Sequence, residues 1–368
     1  MNNPIGLYLH VPFCDSKCAY CDFYSYRADV ALYKRYTDTL CEHIRLAGER
    51  LNRTVDTLYF GGGTPSLLGG ERIKRLVDTV KSSFGEKIDE ITVECNPADD
   101  LKVDFELMKK AGVNRISLGV QSGLDSELKA LSRRHTVEDV KRTVEDVHGA
   151  GIHNISLDLM LGIPHQTMES LKNSLDFLLS LDPTHISAYM LKIEPDTPFG
   201  QVDVKTLDLS DEDTVSDMYL FVSEYLSQHG FEHYEISNFA KKGYRSKHNT
   251  RYWLCEEYLG LGPAAYSYLN GKRFSFERSC EQYIASPTVL DDGLGGDFSE
   301  YCMLRLRLKE GLDFSVLNKR FGTKPTEALK RKAEKFKNTG LVNLTNRTLS
   351  LTVQGFLVSN AVIGELLF

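Results

Sequence analysis

The chain has 368 residues, of which 42% are hydrophobic and 26% are charged, and its net charge is −7. This composition is ordinary for a soluble globular protein, and the length suits about two domains or one large barrel with an appendage. Mean hydropathy is −0.28, no apolar run approaches the ~20 residues of a membrane span, and the first ten residues do not resemble a signal peptide. The sequence therefore excludes collagen-like, disordered, membrane-spanning and small disulfide-rich secreted proteins.

Short apolar runs alternate with longer helical patterns in the first 190 residues. The apolar runs lie at 5–10, 55–60, 90–95, 115–120, 154–160 and 184–190. The helical patterns lie at about 31–51, 70–84, 101–111, 136–150 and 167–181, and glycines that end helices follow three of them. This rhythm predicts six βα units with parallel strands. On this pattern alone, a closed or partly closed barrel and an open doubly wound sheet remain alternatives.

The rhythm changes near residue 195. A Pro- and Gly-containing loop at 194–200 precedes a predicted helix from Ser210 to Gln228, and Asn270-Gly271 predicts a hairpin. We interpret 291–296 (DDGLGG) as a linker. The last 70 residues predict three helices, a small hairpin and a helix, an order that resembles a winged helix.

Three of the eight cysteines lie close together, as Cys14-x3-Cys18-x2-Cys21, and the other five are scattered. This spacing predicts a reduced, cytoplasmic chain with one metal or cluster site. Thiolates suit iron–sulfur clusters or zinc. A structural zinc site needs four ligands, but Phe23 stands where a fourth cysteine could be, and His10 lies within a predicted strand. Three ligands would leave one iron of a 4Fe-4S cluster open. Three structural cysteines or a zinc site are the alternatives.

The cysteine spacing after a first strand, with Tyr20 before the last cysteine, resembles radical S-adenosylmethionine (SAM) enzymes. The resemblance implies a partial (β/α)6 barrel with a C-terminal α+β accessory region. It also implies a 4Fe-4S cluster held by Cys14, Cys18 and Cys21. The open iron then binds the amino and carboxylate groups of SAM, and electron transfer from the cluster can cleave SAM to a 5′-deoxyadenosyl radical.

Motifs at the strand ends narrow the resemblance. YLHVPFC, YFGGGTPS, VECNP, GVQSG and DLMLGIP are similar to the oxygen-independent coproporphyrinogen III oxidase group over residues 5–200. The resemblance implies that Tyr8 and Gly62 contact the cluster-bound SAM, with Glu94 beside it. The positions that match a second SAM site are Gly63, Thr64, Gln121, Arg133 and Asp158, with Tyr20 lining it and Lys192 as a last match. Alternatively, each strand-end polar residue is a turn former or cap.

Two subgroups share these motifs, an oxidase and a haem chaperone. The oxidases have a further cysteine where this chain has Phe23, and a long extension before the first strand, where this chain has four residues. Residues 234–253 carry the His-Asn-x-x-Tyr-Trp signature of the chaperones at His248, Asn249, Tyr252 and Trp253. The resemblance therefore implies haem binding and delivery.

His248 is the candidate haem ligand, because histidine is a common axial ligand and Tyr252 and Trp253 could cover a porphyrin face. The alternative is that His248 and Asn249 only hydrogen-bond the loop backbone. Tyr266 stands where many relatives carry a histidine, and it could bind iron as a phenolate.

We predict a barrel over 1–200 with the cluster loop at 11–27, a linker-helix and hairpin subdomain over 201–290, and a winged-helix-like domain over 291–368. The expected function is haem chaperoning, with 4Fe-4S, SAM and haem as cofactors. The alternatives are a coproporphyrinogen III oxidase, a SAM-dependent dehydrogenase acting on another tetrapyrrole, and a binding module whose cluster is structural or regulatory; whether the chain is an enzyme stays open.

The expected partners are haem or another tetrapyrrole, a haemoprotein acceptor and an electron donor. We expect no nucleic acid and at most peripheral membrane contact, and we interpret the basic stretch near the C-terminus as a solvated face. That stretch comprises Lys319, Arg320, Lys324, Lys330, Arg331, Lys332, Lys335 and Lys337.

Overall fold

The computed structural model describes residues 3–97 and 100–368. Its first half alternates strands and helices as the sequence predicts. The strands are β1 (Ile5–Val11), β2 (Val55–Gly62), β3 (Glu90–Cys95), β4 (Arg115–Gln121), β5 (Asn154–Leu161) and β6 (His185–Met190). The helices are α1 (Val30–Leu51), α2 (Gly70–Phe84), α3 (Lys102–Ala111), α4 (Asp125–Ala130), α5 (Val137–Gly149) and α6 (Met168–Ser180). All six strands pair in parallel, in chain order.

Capping residues fix the ends of these helices. The Asp29 side chain accepts the Leu32 N–H at the start of α1, and Thr136 and Thr167 open α5 and α6 with capping boxes. Gly112 ends α3 with φ 104°, a conformation that favours glycine. Only α4 was absent from the sequence prediction, because six residues are too few to show helical periodicity.

Later segments extend the sheet at both edges. They comprise α7 (Glu212–Gln228), β7 (Glu232–Glu235), β8 (Asn238–Ala240), α8 (Lys247–Trp253), β9 (Tyr258–Leu261), β10 (Tyr266–Leu269), β11 (Lys272–Phe276), α9 (Cys280–Ala285) and β12 (Val289–Leu294). The order is β12-β11-β10-β9-β1-β2-β3-β4-β5-β6-β8-β7. Because β1 pairs with β9 and β6 pairs with β8, the six-stranded barrel is open between β1 and β6.

Two expectations for this region had different outcomes. The Asn270-Gly271 turn joins β10 and β11, with φ 51° and 73° at the two residues, as the hairpin prediction required. The interpretation of 291–296 as a linker was wrong, because residues through Leu294 form the exposed edge strand β12 against β11. The sequence did not predict this strand, because the segment is rich in Asp and Gly and has no buried face that would require alternating apolar residues.

The C-terminal segment is α+β. It contains α10 (Phe298–Arg305), β13 (Leu312–Asp313), α11 (Phe314–Phe321), α12 (Thr323–Ala333), β14 (Val342–Leu344), β15 (Thr348–Leu351), α13 (Val353–Leu357) and α14 (Ser359–Leu367). The three strands form a separate sheet in the order β13-β15-β14. Several basic side chains here have local partners: Arg320 lies over the Tyr301 ring, and Lys330 pairs with Glu327.

No helix in the described part of the chain is long and apolar enough to cross a membrane.

The two faces of the barrel sheet differ in chemistry. Alternate strand residues that face the helices are apolar and buried, for example Leu7, Leu58 and Val93. The intervening residues face the barrel interior and are mostly polar; they include Tyr8, Thr57, Tyr59, Glu90, Thr92, Glu94, Arg115, Ser117, Ser156, Asp158, His185 and Ser187. Barrel interiors are usually filled by branched apolar side chains, so this polar lining marks the interior as functional.

Candidate functional site

The cluster loop lies at the carboxyl ends of the barrel strands. Cys14, Cys18 and Cys21 are each partly exposed, whereas the other five cysteines are buried. The loop is pinned where the Cys14 N–H donates to the Tyr26 carbonyl (3.1 Å) and the Tyr26 N–H donates to the Pro12 carbonyl (3.0 Å). Cys14 Sγ is 3.1 Å from Thr64 Oγ1, so the loop contacts the end of β2.

The three thiols suit an iron–sulfur cluster. Burial first, and then the neighbouring cysteines, raise the pKa of Cys14 and of Cys21. Binding to cationic iron would stabilise the thiolate forms of these side chains. Thiolates are the donors that iron–sulfur clusters use. Cys14, Cys18 and Cys21 are therefore the residues that would hold a 4Fe-4S cluster.

Tyr8, Gly62 and Glu94 form the first of two groups beside this loop. The Gly62 N–H donates to Glu94 Oε2 (3.2 Å), and the Tyr59 hydroxyl donates to Glu94 Oε1 (2.7 Å). Burial raises the pKa of the Glu94 carboxyl to about 7. This arrangement presents a carboxyl group that titrates near pH 7, beside the position that the resemblance implies for the cluster-bound SAM.

The glycines of this group stand where side chains do not fit. A Cβ on Gly62, which has φ +118°, would lie 2.7 Å from His10 Cε1, and a Cβ on Gly63 would lie 2.4 Å from the Phe13 carbonyl oxygen. Gly63 N–H donates to the Val11 carbonyl (2.8 Å). Glycine is therefore required for the backbone of β2 to pass this close to the cluster loop.

The second group surrounds Tyr189 at the end of β6. The Tyr189 hydroxyl donates to Gln121 Oε1 (3.0 Å), and burial first, followed by the charge of Asp158, raises the pKa of Tyr189. Arg133 Nη2 donates to the Gly119 carbonyl (2.6 Å), and its Nη1 is 3.5 Å from Cys18 Sγ. Burial raises the pKa of Asp158 to about 6. This second group thus lies against the cluster loop.

Tyr20 joins this second group, because Tyr20 and Tyr189 pack against the same apolar cluster, which contains Met160 and Phe199. Lys192 is the most exposed of these residues: its side chain is 82% exposed, and Glu194 first, followed by Asp22 of the cluster loop, raises the pKa of its amine. The structure therefore brings the predicted SAM residues around the cluster loop, with Lys192 at the exposed margin.

His248 lies at the opposite end of the barrel interior. Its side chain is fully buried, with Nδ1 3.0 Å from Thr57 Oγ1 and Nε2 2.7 Å from the Tyr252 hydroxyl. Burial lowers the pKa of the imidazole to about 3, so the ring is neutral at physiological pH. Both ring nitrogens have hydrogen-bond partners, so an iron atom could bind His248 only after one of these bonds is broken.

Sequence reasoning missed Tyr59, Tyr189 and Arg115. Tyr59 lies two residues before the glycine triplet, and its alternation with Thr57 was the available signal for an inward-facing position. Arg115 is 1% exposed, and neither its Nε nor its Nη1 has a partner among the described residues. Its charge lowers the pKa of both Glu94 and Asp158, against the larger effect of burial.

Comparison with known proteins identifies the superfamily. The sequence pattern of the radical SAM superfamily matches residues 8–178, and that of the HemN C-terminal domain matches residues 298–358. The solved coproporphyrinogen III oxidase HemN of Escherichia coli, a radical SAM enzyme, superposes with a TM-score of 0.85 over 99% of this chain and 90% of that one, at 21% identity. The fold and the three-cysteine loop define a radical SAM protein, a class that implies a 4Fe-4S cluster and SAM.

Two full-length relatives identify the family. The heme chaperone HemW of Bacillus subtilis is 34% identical over 98% of each chain. That of Lactococcus lactis is 33% identical over 100% of this chain and 98% of its own. The chain belongs to the HemW family.

Proposed function

We propose that this protein is a haem chaperone, which binds haem and transfers it to haemoprotein acceptors in the cytoplasm. The observation that carries the proposal is the end-to-end match to HemW relatives, which includes the segment that forms α8. The oxidase alternative is supported by the similarity of the fold to that of HemN. At 21% sequence identity, this similarity shows a shared fold and not a shared activity.

In this proposal the site residues have distinct roles. Cys14, Cys18 and Cys21 hold the cluster, and Glu94 and the Gly62 backbone orient SAM. When bound, the cluster and SAM supply one-electron chemistry, and the buried walls around Tyr189 keep water from that region. A second site, for SAM or another ligand, is formed by Gly63, Thr64, Tyr20, Gln121, Arg133 and Asp158, with Lys192 at its exposed margin.

Haem needs an axial donor and an apolar cover. His248 is one candidate donor, and its use requires α8 to open. Tyr266 is the other; its side chain is 62% exposed, so it could bind iron without a rearrangement. The proposal also includes an electron donor, at most peripheral contact with a membrane surface, and domain boundaries after residues 200 and 290.

The test separates the chaperone from the oxidase. The anaerobically reconstituted protein is incubated with SAM, a reductant and coproporphyrinogen III, and the mixture is assayed for protoporphyrinogen and 5′-deoxyadenosine. We expect no protoporphyrinogen above the level given by the Cys18→Ala variant. Formation of protoporphyrinogen at enzymatic rates would contradict the chaperone proposal and support the oxidase alternative.

A further inference from the structure

Helix α8 closes the amino-terminal end of the barrel interior. The Glu90 carboxylate at the start of β3 accepts the backbone N–H groups of Lys247 and His248, each at 2.9 Å. Arg251 at the other end of the helix is buried and pairs with Asp56 of β2. These contacts anchor α8 to the two strands that also carry the glycine triplet and Glu94.

The His248 imidazole forms the floor under two tyrosine rings. Its ring stacks on that of Tyr59, with centroids 5.2 Å apart and planes at 26°. It also lies beside the ring of Tyr8, at 6.5 Å and 29°. The hydrogen bonds to Thr57 and Tyr252 hold the imidazole in one orientation, so it packs against the rings of Tyr59 and Tyr8 in a fixed position.

Both tyrosines connect the His248 ring to the proposed SAM and cluster site. The Tyr59 hydroxyl donates to Glu94, and the Tyr8 hydroxyl is 3.0 Å from His10 Nδ1. His10 Nε2 in turn lies 3.2 Å from the Tyr24 carbonyl oxygen of the cluster loop. A continuous series of contacts therefore joins α8 to Glu94 and to the cluster loop.

We propose that His248 is a positioning residue for the SAM site, which holds the Tyr59 ring so that its hydroxyl orients the Glu94 carboxylate. This inference rests on the proposed role of Glu94 in binding SAM. It has a regulatory consequence. If haem takes His248 as its ligand, the imidazole must leave Tyr59, so haem and SAM weaken the binding of each other by the same factor.

A double-mutant cycle tests the positioning role. SAM affinity is measured by calorimetry on reconstituted protein for His248→Ala, Tyr59→Phe and the double variant, with iron content determined for each. We expect each single change to weaken SAM binding roughly tenfold, a typical size of coupling between sites, and the double change to add little, because both act through the same hydrogen bond. His153→Ala, at an exposed histidine, is the matched control.

Additive losses of affinity, or an unchanged affinity in His248→Ala, would overturn the positioning role. A loss of folding is recognised separately, because it would lower iron content and the unfolding temperature in parallel with affinity. In that event Tyr252→Phe, which keeps the ring and removes only the partner of His248 Nε2, provides the second variant. It should weaken SAM binding by less than His248→Ala while iron content is retained, and unchanged affinity would count against the proposal.

The pH profile gives a readout that a general packing role would not change. The Tyr59 hydrogen bond lowers the pKa of Glu94, so its loss should move the midpoint of SAM binding to higher pH in both single variants. The titratable and charged groups that act on Glu94 from the surrounding elements are Tyr8, Tyr59, Arg115, Asp158 and Tyr252. None of them is changed in His248→Ala, so an unshifted midpoint would contradict the inference.

The antagonism is tested with hemin as the probe. SAM is titrated into the reconstituted protein with and without saturating hemin, and, with His248 as the haem ligand, hemin should weaken SAM binding. If hemin binds and SAM affinity stays the same, the antagonism is contradicted. If hemin does not bind at all, the chaperone function fails instead, and the mutant cycle still decides the positioning role.

Discussion

The Tyr59 hydroxyl donates a 2.7 Å hydrogen bond to Glu94 Oε1, across two neighbouring strands of the barrel. The other oxygen of the same carboxylate accepts the Gly62 N–H. With both oxygens held, the carboxylate has one orientation toward the cluster loop. The same burial that gives this precision raises the pKa of Glu94, so the site costs stability when the group is ionised.

Replacing Glu94 with Gln should make the protein more stable at pH 8 while weakening SAM binding. The pKa of Glu94 rises from 4.5 to about 7 on folding, so the folded state binds more protons between these values, and its stability falls as pH rises through about 7. Glu94→Gln removes this loss, and we expect a gain on the order of 2 kcal/mol at pH 8 that disappears near pH 5.

Unfolding of reconstituted protein in denaturant at both pH values measures this gain. Glu145→Gln, at an exposed position of α5, is the control. Equal stability of Glu94→Gln and the parent protein at pH 8 would show that Glu94 is not a strained buried carboxylate.

Replacing a cysteine of the cluster loop should abolish cluster binding, whereas replacing a cysteine outside the loop should not. Cys18→Ala should abolish the brown chromophore and lower iron content after anaerobic reconstitution, because two thiolates cannot hold the cluster. Cys302→Ala, at a buried cysteine remote in sequence from the loop, should retain both. Four irons per chain in Cys18→Ala would show that the cluster assignment is wrong.

Gly62→Val should weaken SAM binding and spare the cluster. The new Cβ would lie 2.7 Å from the His10 ring, and its backbone φ of +118° is strained for valine. We expect roughly a tenfold loss of SAM affinity from such strain, measured by calorimetry. Gly149→Ala is the control, because a Cβ there meets no atom within 4 Å. An unchanged affinity in Gly62→Val would remove the glycine triplet from the SAM site.

Much of the barrel was predictable because its signals are local. Glycine at the end of α3 and threonine caps at α5 and α6 each act within a few residues, so the predicted and observed helices agree closely. Strand positions followed from the apolar residues that face the helices. Strands from residues after 200 join the barrel sheet itself. The boundaries of the three predicted domains stay predictions.

The floor of the site was not predictable, because its contacts join distant parts of the chain. His248 and Thr57 are 191 positions apart, and only the folded sheet places them together. The sequence predicted a loop histidine that either binds haem or hydrogen-bonds the loop backbone, whereas the structure buries His248 with both nitrogens bonded to the side chains of Thr57 and Tyr252. Edge strand β12 was missed for a different reason: all of its residues are exposed, so it has no alternation of apolar and polar residues to detect.

The choice between two haem ligands gives a further prediction. If His248 binds the iron, His248→Ala should weaken hemin binding at least tenfold, and Tyr266→Phe should not. If Tyr266 binds it, the order reverses and the parent spectrum is that of a phenolate complex. Absorption spectra recorded during hemin titration of both variants distinguish the two. Binding that is undiminished in both variants would exclude both residues as ligands.

The most direct test of the haem-chaperone claim is a visible-absorption titration of the anaerobically reconstituted protein with hemin. The account predicts a new Soret band that saturates at about one hemin per chain. A linear increase in absorbance without saturation, the same as that of hemin added to buffer, would contradict it.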